Sequence, residues 1–387
     1  MSRRATLVGI GRSPYTRNSQ RTPLAQAAEA GRAALADAGL QPSDVDGVAC
    51  FAAGDSAPGM AVAHAVGIDE LHWNLELFGG GNFATSVVTH SAMAVEAGIC
   101  DAVLVFRSLN GRSGMRFGRA DGGKGGSGGF LRAGGERQFS APHGYVTPPQ
   151  WLALWCRKHQ HRYGSTCEDL GQIAVTQRGH ANANPHAVQR DPLSLEDYLE
   201  GRWINEPFRV YDCALEVDGA VAVIVTTEER ARDLRQPPVS VEAHAEFTGH
   251  GGSMDQWPDY TTMYSHRAGP LLWERAGVRP EEVDVACMYD CFSYTVMATM
   301  EGFELCEVGQ VGRFFAEGRA TYGGDVVVNP HGGLLSEGYI HGLNHTFEAV
   351  LQLRGQAGDR QVDGARTALV TAGAGPFGGG MLLRGDT

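Results

Sequence analysis

The sequence lacks a CxxC pair, a close grouping of His and Cys side chains, and any long hydrophobic run. Its eight cysteines are scattered, which indicates reduced, buried thiols and argues against a disulfide framework or a zinc site. No segment approaches the roughly 18 apolar residues of a membrane span, and the first apolar run is too short for a signal peptide. We therefore expect a cytoplasmic protein without a metal site or a membrane segment.

Basic charge is also scarce. The 387 residues carry 32 Lys and Arg against 44 Asp and Glu, a formal net charge of −12. Because nucleic acids and anionic membranes both bind basic surfaces, neither is an expected partner. A local basic patch for a phosphorylated ligand is compatible with this balance. The length suits about two or three domain-sized units.

Apolar runs typical of strands alternate with amphipathic stretches typical of helices, which predicts a mixed α/β fold with helices on the faces of a sheet. The glycine-rich segment 118–140 interrupts this order and is either a mobile surface loop or a flap over a pocket. From Pro148 to about Trp203 the pattern is helical and predicts an inserted subdomain.

The second half of the sequence repeats the first. "GLQPSDVDGVAC" begins at Gly39 and "GVRPEEVDVACM" begins at Gly277, and each follows a predicted helix and leads into a predicted strand. The repeat predicts an internal duplication, in which two similar α/β halves form a five-layer αβαβα body with the active site between them. The predicted units are 1–117 and 206–235 for the amino-terminal half, 118–205 for the insertion and 236–387 for the carboxyl-terminal half.

Four motifs make the chain resemble the thiolase superfamily over nearly its whole length, in particular the lipid-transfer branch of sterol-carrier-protein-type thiolases. They are "YDCALEVDGAVAVIV" from Tyr211, "YDCFS" from Tyr289, "TYGGDVVVNPHGGLLSEG" from Thr321 and "TAGAGPFGGG" from Thr371. The resemblance implies the thiolase fold and binding of a CoA thioester as substrate, with no further cofactor.

The catalytic positions of the family are nevertheless changed. Thiolases carry a nucleophilic cysteine in the turn before a long helix, where the helix dipole lowers its pKa. Here that turn reads "GGGNFATSV" from Gly79 and contains no cysteine, and Cys100 lies beyond the helix. The second catalytic cysteine of the family is also missing, since "TAGAG" places Ala372 and Ala374 there.

Two family histidines are replaced by tyrosines, Tyr289 in "YDC" and Tyr339 in "GYI". This pair resembles the thiolase-like aldolases of bacterial steroid side-chain degradation, which cleave a β-hydroxyacyl-CoA by a retro-aldol reaction. A phenol can act as base or acid there if neighbours lower its pKa from about 10. We expect Tyr289 and Tyr339 to be the acid–base pair, with a slight preference for Tyr289 as the base. The alternative is that both are ordinary buried tyrosines.

Glycine loops can present backbone N–H groups to an enolate oxygen. We therefore expect the substrate to be bound by Asn329, His331, Gly332, Gly333 and Gly375.

Other side chains near the motifs have open roles. Arg107, Arg112 and Arg116 either meet CoA phosphates or form a solvated loop. His341 and His345 either line the pocket or are structural, and Tyr294 is expected in the core. Asp290 follows Tyr289 and either orients its loop or has a structural role.

The resemblance implies cleavage of a steroid side-chain CoA thioester to a ketone and a short acyl-CoA such as propionyl-CoA. It also implies a partner protein built from a zinc ribbon and an OB-fold, and a homodimer within a heterotetramer. Two alternatives stay open: a thiolase-like acyltransferase without the usual cysteine, and a non-catalytic acyl-CoA or lipid-binding protein.

Overall fold

The computed structural model describes residues 3–116 and 138–385. The segment 118–140, predicted as a loop or a flap, lies outside these residues except for 138–140. Strands in the described chain are β1 (Ala5–Arg12), β2 (Gly47–Ala52), β3 (Trp73–Phe78), β4 (Ala102–Asn110), β5 (Trp203–Asn205), β6 (Phe208–Arg209), β7 (Asp218–Thr227), β8 (Val239–Thr248), β9 (Val285–Cys287), β10 (Val327–Val328), β11 (Thr367–Ala374) and β12 (Phe377–Gly385).

The first helix of the described chain begins and ends at local sequence signals. Thr22 caps its start by accepting a hydrogen bond from the Ala25 N–H, and Gly39 ends it in the left-handed conformation at φ 78°. The helices are α1 (Pro23–Ala38), α2 (Gly59–Val66), α3 (Ser86–Glu96), α4 (Pro148–Tyr163), α5 (Cys167–Asn182), α6 (Leu195–Glu200), α7 (Glu228–Ala231), α8 (Ser265–Ala276), α9 (Ser293–Gly302), α10 (Val311–Ala316), α11 (Gly333–Ser336) and α12 (Leu343–Leu353).

Ten strands form two half-sheets with the same topology. In the amino-terminal half the order is β3-β2-β4-β7-β1, and in the carboxyl-terminal half it is β10-β9-β11-β12-β8. Each half has three parallel strands followed by two antiparallel ones. The half-sheets meet where Thr6 and Leu7 of β1 pair with Ser240 and Val239 of β8. This repetition of strand order agrees with the predicted internal duplication.

The repeated sequence motif has the same structure in both halves. Gly39 and Gly277 each end a helix in the left-handed conformation, and a 3-10 turn and a strand follow. Within the motif, the Asp46 carboxylate accepts hydrogen bonds from the backbone N–H groups of residues 101 and 102, and Asp284 accepts them from residues 366 and 367. Each aspartate therefore fixes the start of the neighbouring parallel strand.

Three hydrophobic clusters define five layers, as predicted. The central cluster packs α3 and α12 between the two half-sheets. A second cluster packs α1 and α2 on the outer face of the amino-terminal half-sheet. The third packs α8 and α9 on the outer face of the other half-sheet, where the inserted helices α4, α5 and α6 join it.

The insertion therefore rests on the carboxyl-terminal half, and the predicted domain boundaries stay a prediction. In residues 3–116 and 138–385, no helix combines the length and apolar character needed to cross a membrane.

Candidate active site

The structure brings Tyr289 and Tyr339 together. Tyr289 follows β9, and its backbone N–H donates to Thr371 Oγ1 at 3.0 Å. Tyr339 follows α11, and its N–H donates to the Leu215 carbonyl at 2.9 Å. The two phenol oxygens are 2.8 Å apart. A hydrogen-bonded pair of phenols thus joins two loops that lie 50 residues apart in sequence.

Both phenols lie at the wall of a cavity of about 1190 Å³. The insertion supplies much of its apolar lining, including Tyr145, Trp151 and Leu152, and Phe377 of β12 adds to it. The polar part of the wall is rich in arginine, although the chain is acidic overall. The lining arginines of the described chain are Arg17, Arg112, Arg116, Arg178 and Arg202. The cavity therefore suits a large ligand with an apolar part and an anionic part.

Two glycines make room for Tyr289. A Cβ atom on Gly81, in the turn before α3, would lie 2.0 Å from the Tyr289 phenol oxygen. A Cβ on Gly342, where φ is 90°, would lie 2.9 Å from the Tyr289 ring. The phenol therefore occupies the space that a side chain of the turn would otherwise need. Cys100 lies beyond α3, and burial raises its pKa to about 12, so it supplies no nucleophile to this cavity.

The pKa values of the two phenols differ from the sequence-based expectation of a lowered pKa. Burial raises the pKa of Tyr289 well above its usual value, and the neighbouring Tyr339 raises it further. Burial also raises the pKa of Tyr339, but a hydrogen bond from Tyr289 and the positive charge of Arg107 act in the opposite direction. In the ligand-free site both phenols are therefore neutral, and Tyr339 is the better placed of the two to carry negative charge.

The residues predicted to bind substrate make contacts behind the cavity wall. Asn329 holds the backbone before Tyr289, since its amide oxygen accepts from the Met288 N–H at 2.7 Å and its amide nitrogen donates to the Met288 carbonyl at 2.9 Å. Gly332 faces Ala181 of α5, and Gly333 faces the Asp290 carboxylate. Gly375 faces Met254, and its carbonyl accepts from the Tyr264 N–H. Asn329 therefore supports the loop that carries Tyr289, and direct substrate binding by these residues stays a prediction.

His331, the fifth predicted substrate-binding residue, is also fully buried behind the wall. Its ring lies 5.1 Å from that of His345, and burial followed by the nearby His345 lowers its pKa well below the usual value. His345 Nε2 lies 3.2 Å from Asp290 Oδ1. The Asp290 carboxylate accepts hydrogen bonds from the N–H groups of Leu334 at 2.8 Å and Leu335 at 3.2 Å. Asp290 therefore ties its own loop to the segment before Tyr339, a contact that the sequence did not predict.

Tyr294 is buried in α9, in agreement with its predicted core position.

The three arginines of β4 and the segment that follows it have different surroundings. Arg112 and Arg116 line the cavity, and Arg116 Nε donates to a Glu216 carboxylate oxygen at 2.5 Å. Arg107 is fully buried and pairs with Asp55, while its guanidinium lies 2.9 Å from His341 Nδ1. Arg107 therefore cannot meet a CoA phosphate, and this part of the expectation is wrong.

Sequence reasoning missed Asp55 and Arg178. Asp55 follows β2 outside the recognised motifs, and the fold brings it to Arg107. Arg178 lies on α5, where its Nε donates to Ser336 Oγ at 2.8 Å and its side chain reaches the cavity. The described residues contain no group of three His, Cys, Asp or Glu side chains placed to hold a metal ion.

Comparisons with known proteins agree with this architecture. Residues 248–381 match the family described as "Thiolase C-terminal domain-like". The chain is 41% identical to the "17-hydroxy-3-oxo-4-pregnene-20-carboxyl-CoA lyase" of Mycobacterium tuberculosis, over 99% of this chain and 100% of that relative. It is 38% identical to the "Steroid side-chain-cleaving aldolase" of Thermomonospora curvata, over 99% of this chain and 98% of that relative.

Among solved structures, the fold superposes on one described as "Ltp2-ChsH2(DUF35) aldolase" with a TM-score of 0.91. The sequence identity is 38%, and the match covers 99% of this chain and 98% of that chain.

Proposed function

The chain belongs to the thiolase superfamily, in the group of the steroid side-chain-cleaving aldolases, and we propose that it cleaves a β-hydroxyacyl-CoA by a retro-aldol reaction. The observation that carries this proposal is the 2.8 Å contact between the Tyr289 and Tyr339 phenol oxygens. The contact lies at a cavity whose helix-initiating turn bears no nucleophile. Such a site can move protons but cannot form an acyl-enzyme from that turn.

The substrate we propose is a steroid whose side chain ends in a CoA thioester and carries a hydroxyl on the β-carbon. The name of the Mycobacterium tuberculosis relative describes a hydroxyl at carbon 17 and the carboxyl-CoA at carbon 20. Breaking the bond between these carbons leaves a 17-ketone and a three-carbon acyl-CoA, propionyl-CoA. The apolar walls suit a ring system, and the arginines suit the CoA phosphates.

Cleavage requires one proton to leave the β-hydroxyl and one to reach the α-carbon. Because burial keeps both phenols neutral, a free phenolate is a poor starting base. A relay avoids the free-energy cost of forming a buried phenolate. One phenol accepts the hydroxyl proton while it passes its own proton to the other phenol. The second phenol gives its own proton to the α-carbon. The carbon–carbon bond electrons move into the thioester enolate and then to the new C–H bond, so charge balances throughout.

We propose that Tyr339 accepts the hydroxyl proton, in contrast to the preference taken from the sequence. Burial raises the pKa of Tyr339, but the positive charge of Arg107 partly offsets this effect. Either oxygen of the 2.8 Å contact can be the donor, and in the relay Tyr339 donates its proton to Tyr289, which gives its own proton to the α-carbon. We assign the enolate oxygen to backbone N–H groups of the turn 80–82, which lines the cavity beside Tyr289.

We further propose that the chain acts with a DUF35-type partner and forms a homodimer within a heterotetramer. The two-component description of the similar aldolase structure supports the partner. The edge strand β3 supports the dimer, because its outer side bears no paired strand in the described chain and ends at Phe78, which is 80% exposed.

Acyl transfer through another thiol is the second candidate, since Cys213 and Cys291 line the cavity. Burial raises the pKa of Cys213 well above its usual value and that of Cys291 to about 12, so both are protonated and weak nucleophiles. Acyl-CoA labelling should therefore leave no covalent adduct. An adduct on either cysteine would favour the transferase.

The aldolase proposal is tested with the chain co-purified with a DUF35-type partner and a β-hydroxy steroid acyl-CoA. Chromatography follows the ketone and the short acyl-CoA, beside Tyr289→Phe and Tyr339→Phe. We expect each substitution to lower kcat by roughly 100-fold or more, because it removes one member of the relay. Cleavage that persists in both variants would refute the relay. Tight binding of the acyl-CoA without cleavage by the wild type would favour a binding protein.

A further inference from the structure

Arg107 lies at the centre of a buried chain of polar side chains behind the cavity. It belongs to β4, and its guanidinium donates to the Ser108 carbonyl at 2.8 Å and pairs with the Asp55 carboxylate. The same guanidinium stacks over the Phe51 ring at 5.3 Å. A third contact, 2.9 Å long, joins it to His341 Nδ1. The rigid guanidinium fork therefore holds an aspartate and a histidine at fixed positions.

His341 connects this chain to the phenol pair. Its ring centroid lies 4.5 Å from that of Tyr339, and its backbone has a φ of 51°, a left-handed conformation that is uncommon for histidine. Burial, and then the charge of Arg107, lower the pKa of His341 to about 3, so the ring is neutral. A neutral ring beside the arginine accepts its hydrogen bond at Nδ1 and carries its proton on Nε2.

We propose that Arg107 is a positioning residue of the cleavage reaction, which with Asp55 holds His341 and, through the His341 ring, the phenol of Tyr339. This inference rests on the role of Tyr339 in the proposed function. Arg107 is fully buried, so its charge acts on the groups that it contacts and not on solvent. A buried guanidinium is costly unless its partners compensate it, and Asp55 and His341 are those partners.

The charges around Tyr339 give this role a specific signature. The groups that act on its phenol are Tyr289, Cys291, Arg107 and Asp55, with the neutral His341 ring packed against it. Burial dominates, but Arg107 lowers the pKa of Tyr339 and Asp55 raises it. Removing the arginine charge should therefore raise this pKa, and removing the aspartate charge should lower it. Damage to packing alone would not produce opposite shifts.

The experiment compares Arg107→Met and Asp55→Asn with Arg354→Met. Arg354 is a matched control, because its buried guanidinium also pairs with an aspartate, Asp37, at 2.9 Å. Its contacts lie with Asp37 and the Pro237 carbonyl, and it does not line the cavity. Each variant also receives a fluorinated tyrosine at position 339, whose lower intrinsic pKa brings ionisation into a range that the fold tolerates. Ultraviolet absorbance of the phenolate then reports the pKa of this group without any substrate.

We expect the ionisation pH to rise in Arg107→Met, to fall in Asp55→Asn and to stay unchanged in Arg354→Met. In turnover, with the natural tyrosine, Arg107→Met should lower kcat by roughly 10- to 100-fold with little change in KM, because the phenol loses its alignment. Arg107→Lys should recover part of kcat, since it restores the charge without the fork.

Shifts in the same direction, or no shift in either variant, would overturn the positioning role. Failure of the wild type to cleave the substrate would instead refute the proposed function, and the titration would still decide whether Arg107 and Asp55 act on Tyr339.

Discussion

Replacing Gly81 by alanine places a methyl group where the phenol of Tyr289 now lies. The new Cβ would be 2.0 Å from the phenol oxygen, 2.4 Å from Cζ and 2.5 Å from Cε2. Gly81 has no positive φ, so the alanine backbone is not strained and the effect comes from the contact alone. This substitution therefore perturbs the position of one phenol without changing any functional group.

The size of the effect follows from the contact distance. Carbon–oxygen contacts in proteins settle at about 3.3 Å or more, so the ring or the turn must retreat by more than about 1 Å. A displacement of about 1 Å at a reacting group costs on the order of 100-fold in rate. The buried Tyr289 ring has little room to yield, and such overpacking destabilises a fold by about 1–3 kcal/mol.

Gly179→Ala in α5 is the control, because a Cβ at that position meets nothing within 4 Å and the residue does not line the cavity. We expect steady-state cleavage by Gly81→Ala to fall about 100-fold while Gly179→Ala retains near wild-type kcat. In a Tyr289→Phe background, Gly81→Ala should cost little further activity, since the relay is already broken. Equal activities of the two alanine variants would refute the idea that the position of Tyr289 controls cleavage.

Two further predictions concern stability. His159→Ala removes the partner of the fully buried Glu301 carboxylate, which lies 3.0 Å from His159 Nε2, and should lower the free energy of unfolding in urea by about 3–5 kcal/mol. The control is Arg162→Ala, which breaks an exposed pair with Asp259 and should lower it by less than about 1 kcal/mol. Similar losses in both variants would contradict this account. Burial lowers the pKa of His180 to about 4, below its unfolded value, so the unfolded chain binds more protons than the folded chain in this range. The free energy of unfolding should therefore fall by on the order of 2–3 kcal/mol as the pH drops from about 6.5 to 4. In urea titrations His180→Gln should flatten this dependence on pH, and an unchanged pH dependence in the variant would contradict the role of His180.

The repeat and the element order were readable from the sequence because local signals carry them. Gly39 and Gly277 end helices in a conformation that glycine tolerates best, and the strands after them are short apolar runs. The pairing of β1 with β8 has no such signal, since hydrogen bonds between distant strands depend on how the two halves pack.

The tyrosines were predictable as a pair because each replaces a recognisable motif residue. Their pKa values were not, since burial sets the direction of the shift and a sequence does not show burial. The surroundings of the glycine loops were unpredictable for a related reason. A glycine-rich loop has the same sequence signature whether it faces a ligand or a helix, and Gly332 faces Ala181.

The absence of a side chain at position 81 and the presence of the Tyr289 phenol are linked by packing. A side chain at position 81 and the phenol of Tyr289 cannot occupy the same space, so Tyr289 requires a glycine in the turn. Gly342 adds the same requirement from the other side of the ring. The glycines of "GGGNF" and "YIHGL" therefore make the space that the proposed acid–base pair occupies. Two buried phenols in contact can exchange protons but hold charge poorly, and this property suits the proposed cleavage, which begins and ends with neutral groups.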